Sequence, residues 1–472
     1  MRHFDTEVQY LKYRVLKAVS KRAFEGTLLN EIADIPKEII PGPKPTTRCC
    51  IYKERAIVSE RIKLALGGNK DNPNVIEVID IACDECPVAG YKVTESCRGC
   101  IAHRCETACK FGAIYFDKNQ KAHIDKDKCV ECGACSKVCP YSAISNSKRP
   151  CENACKVNAI KMDENRTAVI NNDKCIGCGA CVYQCPFGAI MDKSYIVDVI
   201  EMLKAKEEVY AIIAPSISAQ FKLATFGQVI TAIKMLGFSG IVEAAQGADL
   251  VAYYEAQELV EKGFLTTSCC PAFVNYIKKY FPQLEKNISH NLSPMAMIAK
   301  IIKEKRPNCK TVFIGPCTAK KAEANLENVS EYVDRVLTFE ELIALFGAKD
   351  IPLRDLEEST LDDASLFGRN FARSGGVTEA VRQSIKEQNI DFNFNPIACD
   401  GIENLKVLLL KASKGLLPNN FIEGMVCTGG CIGGPCALTH EAKDKSLIDK
   451  HGSEASKKEI LINVKKLCKE GE

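Results

Sequence analysis

The stretch E-G-M-V-C-T-G-G-C-I-G-G-P-C, Glu423 to Cys436, places Cys427 and Cys431 four apart, with Gly429 and Gly430 between them and Gly433, Gly434 and Pro435 behind. Glycines permit close backbone approach and positive φ, so the loop is shaped to press thiolates and amides against an inorganic ligand. Alone, it would suit a zinc ion or a tightly packed turn equally well. Two upstream segments tip the balance: T-T-S-C-C-P-A-F, Thr266 to Phe273, and F-I-G-P-C-T-A-K-K-A-E, Phe313 to Glu323. Each follows a short apolar β-like run and leads into a helical pattern. That sets cysteines at the carboxyl ends of strands, where α/β folds build their sites, and three such loops can meet in one crevice.

Cysteine also dominates the rest of the chain. The 472 residues hold 27 of them, far more than a reducing compartment would use as disulfides. The first two runs to count are Cys129, Cys132, Cys135, Cys139-Pro140 and Cys175, Cys178, Cys181, Cys185-Pro186, both C-x2-C-x2-C-x3-C-P. This is the bacterial ferredoxin run, in which three thiolates hold one cubane and the fourth reaches the neighbouring cluster. Zinc would need two separated C-x2-C pairs and explains neither the third close cysteine nor the proline. Two irregular copies complete the set. Cys97, Cys100, Cys105 and Cys109 form one; Cys151 and Cys155 form the other, with Cys83 and Cys86 supplying its missing pair. The repeats C-K-F-G-A-I, C-P-Y-S-A-I, C-K-V-N-A-I and C-P-F-G-A-I end the four units at Cys109, Cys139, Cys155 and Cys185. Four 4Fe-4S clusters are expected. One module spans residues 97 to 139, and the other joins Cys175, Cys178 and Cys181 with Cys155, and Cys83, Cys86 and Cys151 with Cys185. His103 lies in an irregular loop where cysteines already suffice and is expected to be an exposed loop residue.

Charge is nearly balanced, 63 basic against 60 acidic side chains for a net +3. This argues against a nucleic-acid binder. The N-terminus lacks the apolar core of a signal peptide and no window approaches the ~18 apolar residues of a membrane span, so a cytoplasmic protein without membrane contact is expected. Residues 1–80 carry a helical pattern at Val8, Leu11, Val15 and Val19, then a proline-rich break from Ile35 to Pro45 and the vicinal Cys49 and Cys50, read as ordinary thiols at a helix start. After Ile190 a helix through Lys204 links to a buried strand at Val209 to Pro215. Strand-like runs at Thr311 to Ile314 and Asn395 to Ala398 alternate with helical patterns at Phe226 to Leu236, Pro294 to Lys305 and Val377 to Glu387. The expected architecture is an α/β catalytic domain with largely parallel strands (195–472), preceded by α+β ferredoxin-like iron-sulfur modules (81–194) and a small helical N-terminal segment.

Together the three glycine- and cysteine-bearing segments resemble the signature segments of the FeFe hydrogenases, in the same order and with similar spacing, over roughly residues 195 to 465. The resemblance implies reversible cleavage of H2 into protons and electrons at an H-cluster. In that cofactor a 4Fe-4S cubane, here on Cys270, Cys317, Cys427 and Cys431, is bridged through Cys431 to a two-iron subsite carrying CO, CN and azadithiolate. It further implies that Lys320 directs a cation at the subsite; without the signature context, Lys320 would read as a helix-surface lysine paired with Glu323. Pro215, Ser216, Met425 and Glu323 are placed around the cofactor. A vicinal cysteine cannot readily chelate the iron of its neighbour, so one of the pair is free for another task, and the resemblance implies that Cys269 ends a proton relay running Glu258, Ser289, Glu255, Cys269 from surface to metal. Glu255 and Glu258, three apart, share one helix face. Ferredoxin is the implied electron partner, and dedicated maturation proteins the implied source of the subsite.

The chain departs from the commonest signatures at Ala272, Phe273, Gly315, Thr428 and Pro435, as in a divergent subgroup. Cys309, Cys399, Cys436 and Cys468 match no ligand position and read as small buried thiols. Three rivals stand beside the hydrogenase reading. A sensory hydrogenase would need a further module. A noncatalytic hydrogenase-like protein of cluster assembly would lack the two-iron subsite. A polyferredoxin would leave residues 195 to 465 without a role.

Overall fold

The computed structural model describes residues 4–87, 90–441 and 443–469. Its centre is a four-stranded sheet in the order Gly240–Glu243, Val209–Ile213, Lys310–Gly315, Arg335–Thr338, every pairing parallel. The unbroken apolar runs explain this: Val209, Ala211, Ile212, Val312 and Ile314 are at most 1% exposed, as expected for strands covered by helices on both faces. The helices Phe226–Leu236 and Phe339–Ala348 open on capping boxes, Thr225 with Gln228 and Thr338 with Glu341.

The parallel strands are divided between two sheets rather than gathered in one. The second sheet runs Leu265–Thr266, Phe421–Met425, Pro396–Asp400, again parallel. The Cys317 loop therefore leaves the first sheet, while the Cys269 and Cys427 loops leave adjacent strands of the second, and the site lies between them. The helices expected at Phe226–Leu236 and Pro294–Lys305 fall on those residues, and the third begins one residue early, at Gly376.

The cysteine-rich part is built of short antiparallel pairs, Ile114–Phe116 with Ala122–Ile124 and Ile160–Met162 with Ala168–Ile170, each beside short helices that carry the thiols. Gly90–Val93 pairs with Ile144–Ser147 to close the first module. Ile76–Val78, inside the stretch read as N-terminal segment, pairs with Ile190–Asp192 and closes the second. The proline-rich break holds a short helix, Ile35–Ile39, because Pro36 sits in the first turn, where no N–H is required.

Buried charge ties the three parts together. Helix Glu7–Glu25 carries Lys12, whose Nζ lies 2.5 Å from Asp192 and 2.6 Å from Glu340. Lys321 adds contacts of 2.8 Å to Asp192 and 2.9 Å to Glu341. Burial alone would lower the Lys12 pKa, but Asp192 and Glu340 hold its ammonium well above the usual range. Removing one partner from such a group leaves uncompensated charge in the interior. Lys12→Met is expected to destabilise the protein by about 3–5 kcal/mol, read as a lower urea midpoint, with Lys12→Arg losing much less.

Candidate functional site

Local geometry accounts for each cysteine loop. Cys270 N-caps helix Pro271–Tyr280, and Cys317 N-caps helix Thr318–Glu323. Cys427 and Cys431 flank Gly429 and Gly430, whose φ values of 80° and 96° belong to glycine. A side chain at Gly430 would strike the backbone of Ala372 and Ser374; in its absence Cys431 N–H donates to the Ala372 carbonyl at 2.8 Å.

These loops bring Cys270, Cys317, Cys427 and Cys431 together. Burial raises the Cys427 thiol well above its usual range, and the thiols of Cys317, Cys270 and Cys431 raise it further. Burial likewise pushes Cys317 and Cys431 up to about 12. Protonated thiols crowded in this way become thiolates when metal displaces the protons. The tetrad borders a cavity lined by Pro215, Ser216, Cys269, Lys320, Met425 and Cys431. Lys320 is buried, not on the helix surface; its Nζ meets Glu323 at 2.7 Å, and Glu323, with the neighbouring thiols of Cys317 and Cys269, keeps it charged against the pull of burial. The Ser216 Oγ is buried without a hydrogen-bond partner. Soft donors, one cation and one open hydroxyl in an otherwise apolar cavity fit an anionic iron-sulfur group.

Beside the tetrad a polar chain leads outward from Cys269. The thiol is raised by burial and, of all charges, most by Glu255. Glu255 lies on helix Ala244–Lys262, fully buried, accepting from Ser268 N–H at 3.4 Å, with Oε2 unpartnered. Ser289 interacts with Glu255 and donates to Glu258 Oε2 at 2.9 Å. Glu258 meets Lys262 at 2.7 Å and accepts from His290 N–H at 3.0 Å. Burial pushes Glu255 up to about 8, aided by the charges of Glu258 and Glu423. For Glu258, Lys262, His290 N–H and Ser289 outweigh burial and hold the carboxyl below its usual range.

Sixteen of the remaining cysteines, from Cys83 to Cys185, fall into four further sets. Cys86 and Cys151 each neighbour Cys83 and Cys185. Cys178 and Cys181 neighbour Cys175 and Cys155. Cys105 neighbours Cys100 and Cys139, with Cys97 packed in the same cluster, and Cys135 neighbours Cys109 and Cys129, with Cys132 lining the same pocket. Cys178 also lies near Cys270 and Cys427. Its loop is pressed onto the segments of Cys317 and Cys431: Thr318 Oγ1 donates to the Gly177 carbonyl at 2.8 Å, and a Cβ on Gly179 would collide with Pro435.

Among the unassigned thiols, Cys309 and Cys436 are buried and Cys399 half-buried, but Cys468 is exposed, contrary to expectation, because the last helix turns that position to solvent. Cys50 N-caps helix Ile51–Ala65 and His103 stacks on Phe116 at 3.8 Å. Sequence reasoning missed Glu423: it is fully buried, accepts from Gly375 N–H at 2.7 Å and Thr378 N–H at 2.8 Å, and is felt by Cys269 and Cys431. A carboxylate opening an apolar, glycine-rich strand end was the available signal.

Residues 207–435 match the family model for the C-terminal domain of the iron-only hydrogenase large chain; residues 96–143 match a 4Fe-4S dicluster domain and 168–191 a 4Fe-4S binding domain. The periplasmic Fe hydrogenase large subunit of Nitratidesulfovibrio vulgaris is 30% identical over 381 residues, 67% of this chain and 86% of that protein. The chain belongs to the iron-only hydrogenase family. Iron hydrogenase 1 of Clostridium pasteurianum is also 30% identical, over 315 residues covering 55% of each chain, so this family member spans about half the length of that relative. The cytosolic Fe-S cluster assembly factor NAR1 of Kluyveromyces lactis is 26% identical over 170 residues, 34% of this chain and 36% of that protein. Among the described residues of this iron-only hydrogenase family member, no helix is long and apolar enough to cross a membrane.

A carboxyl raised to about 8 is protonated at neutral pH. Its contribution to stability is complete below the ordinary value of 4.5 and is lost as pH rises through about 8, because only the unfolded chain then ionises it freely. Wild-type protein is expected to lose stability relative to Glu255→Gln over that interval. An infrared carboxylic acid band present at pH 7, fading above pH ~8 and missing in the variant, would identify the proton; its absence at pH 7 would refute the assignment.

Proposed function

We propose that this chain is an FeFe hydrogenase that interconverts H2 with protons and electrons, exchanging the electrons with ferredoxin through its accessory clusters. The observation that carries the reading is the polar chain Cys269, Glu255, Ser289, Glu258, which begins at the cavity beside Lys320 and Cys431 and ends near the surface at Lys262 and His290. A protein concerned only with cluster assembly or electron storage has no use for a buried proton chain that ends at a thiol.

In this reading Cys270, Cys317, Cys427 and Cys431 hold the cubane, and the cavity receives a two-iron subsite installed by maturation proteins. The H-cluster, when bound, supplies the metal chemistry that splits or forms H2. The protein's own residues do the rest. Lys320, kept charged by Glu323 and by the thiols of Cys317 and Cys269, offers a cation to the anionic ligands. The Ser216 hydroxyl is free to donate. Pro215 and Met425 help keep the cavity dry. Cys269 holds a proton at Sγ, and Glu255, protonated at neutral pH, can pass one across Ser289 to Glu258. The paired Glu258, held ionised, meets solvent. Cys83, Cys86, Cys151 and Cys185; Cys155, Cys175, Cys178 and Cys181; Cys97, Cys100, Cys105 and Cys139; and Cys109, Cys129, Cys132 and Cys135 hold four accessory 4Fe-4S clusters. The set containing Cys178 abuts the active-site tetrad.

Protein purified without oxygen and matured in full should give infrared bands of metal-bound carbonyl and cyanide that shift under H2. A full complement of iron and sulfide without such bands would favour a role like that of the assembly-factor relatives. Cys269→Ala is expected to retain the bands while turnover falls about 10²- to 10⁴-fold, the usual contribution of a positioned acid-base group. Full turnover in that variant would remove Cys269 from the relay.

A further inference from the structure

Three arginines converge on the tetrad Cys83, Cys86, Cys151 and Cys185. Arg61, 3% exposed, donates from Nη2 to the Phe187 and Gly188 carbonyls at 3.1 and 3.3 Å, while its Nε and Nη1 are buried with no partner. The charges it feels are Arg48 and Cys185, with no carboxylate among them. Arg149, 1% exposed, directs Nη1 at Cys83 Sγ, 3.8 Å away, and Nη2 at the Arg166 carbonyl, 2.5 Å away; its Nε is also open. Arg48 and Arg149 are both felt by Cys86, although Arg48 is partly balanced by Asp84 and Glu85 at 3.4 and 3.6 Å.

Burying a guanidinium with open N–H groups and no carboxylate is costly unless something anionic lies against it. A 4Fe-4S cluster on four thiolates is such an anion, and it becomes more negative by one charge on reduction. Fixed cations beside it favour the reduced state and raise the potential, through net charge and hydrogen bonds toward sulfur. The neighbouring set differs: apart from burial and a backbone N–H at Cys178, Cys178 and Cys181 feel chiefly other thiols.

We propose that Arg61 and Arg149, supported by Arg48, set the cluster on Cys83, Cys86, Cys151 and Cys185 at a higher reduction potential than its neighbour on Cys155, Cys175, Cys178 and Cys181. The inference rests on reading both sets as 4Fe-4S ligands. Cys178 lies near Cys270 and Cys427, and Cys181 near Cys151, so the arginine-lined set is the outer of the two. One electron passing outward oxidises the inner cluster and reduces the outer, with no bond or proton exchanged. The arginines make that step downhill and favour H2 oxidation over evolution. Arg48 and Arg61 both come from the N-terminal segment, which thereby acquires an electronic role.

The test is an anaerobic redox titration of the full-length, cluster-loaded protein, followed by electron paramagnetic resonance. In wild type, the couple missing from Cys83→Ala should be the higher of the two buried couples; if it is the lower, the proposal fails. In Arg61→Gln, with iron and sulfide unchanged, that couple should become about tenfold harder to reduce, about 59 mV for one electron, and Arg61→Lys should restore most of the shift. Midpoints unchanged in Arg61→Gln, or a shift in a couple that survives Cys83→Ala, would overturn it. An iron count too low for this cluster would overturn the ligand reading and the proposal together. None of these readouts needs H2 turnover, so missing carbonyl and cyanide bands would count against the hydrogenase reading alone.

Discussion

Thiols packed in fours inside a protein impose one constraint on everything around them: they are cheap to bury when protonated and useful as ligands only when charged. Burial holds Cys151, Cys178, Cys317 and Cys431 up to about 12. Each set must therefore be built so that metal binding, and not solvent, supplies the compensating charge. Much of the surrounding structure follows. The tetrads sit in loops stiffened by short helices, backbone N–H groups of Ala113, Ala143, Ala159 and Ala189 point at the sulfurs of Cys109, Cys139, Cys155 and Cys185 at 3.2–3.4 Å, and cations lie beside two of the sets, Lys320 by that of Cys317 and Cys431 and Arg149 by that of Cys83 and Cys86.

The same constraint separates the two sides of the cavity beside the Cys270, Cys317, Cys427 and Cys431 tetrad. On one side Lys320 supplies positive charge to the cavity. On the other, burial pushes Glu423, Glu255 and Cys269 upward, and Glu255, raised to about 8, keeps its proton at neutral pH. A buried carboxyl that keeps its proton at neutral pH can donate and be refilled. Glu258 behaves oppositely because Lys262 and the His290 amide meet it at the protein's edge. Two glutamates three residues apart on one helix thus differ in protonation, through depth and partners alone.

Much of this was legible in the sequence wherever spacing is local. The C-x2-C-x2-C-x3-C-P runs and their A-I endings led to the expectation that Cys185 joins Cys83 and Cys86 and that Cys155 joins Cys175 and Cys178, and these thiols lie as neighbours in the fold. The strand, loop and helix around Cys317 were legible for the same reason. What escaped depends on residues far apart in the chain. Nothing near Arg61 announces a cysteine neighbour at 185, nothing near Lys12 announces Asp192 and Glu340, and the division of parallel strands into two sheets depends on pairings such as Thr266 with Ile422. The helix Ile35–Ile39 escaped for another reason, since prolines read as a break also suit a first helical turn.

Three of the departures from the commonest signatures, Phe273, Gly315 and Pro435, are matched by their surroundings. The fully buried Phe273 ring fills the space over Gly424, where any Cβ would collide with it, so the large residue in one loop and the missing side chain in another act as a pair. Gly315 similarly admits the Phe313 ring and the close approach of Ala214, which precedes the cavity residues Pro215 and Ser216. Pro435 fits against Gly179, in the loop of Cys178 that carries the nearest accessory thiols. Interiors packed this tightly transmit a single volume change to their neighbours. Substitution at one signature position therefore has to be answered at another, and here the answers lie on the segments that hold the cysteines in place.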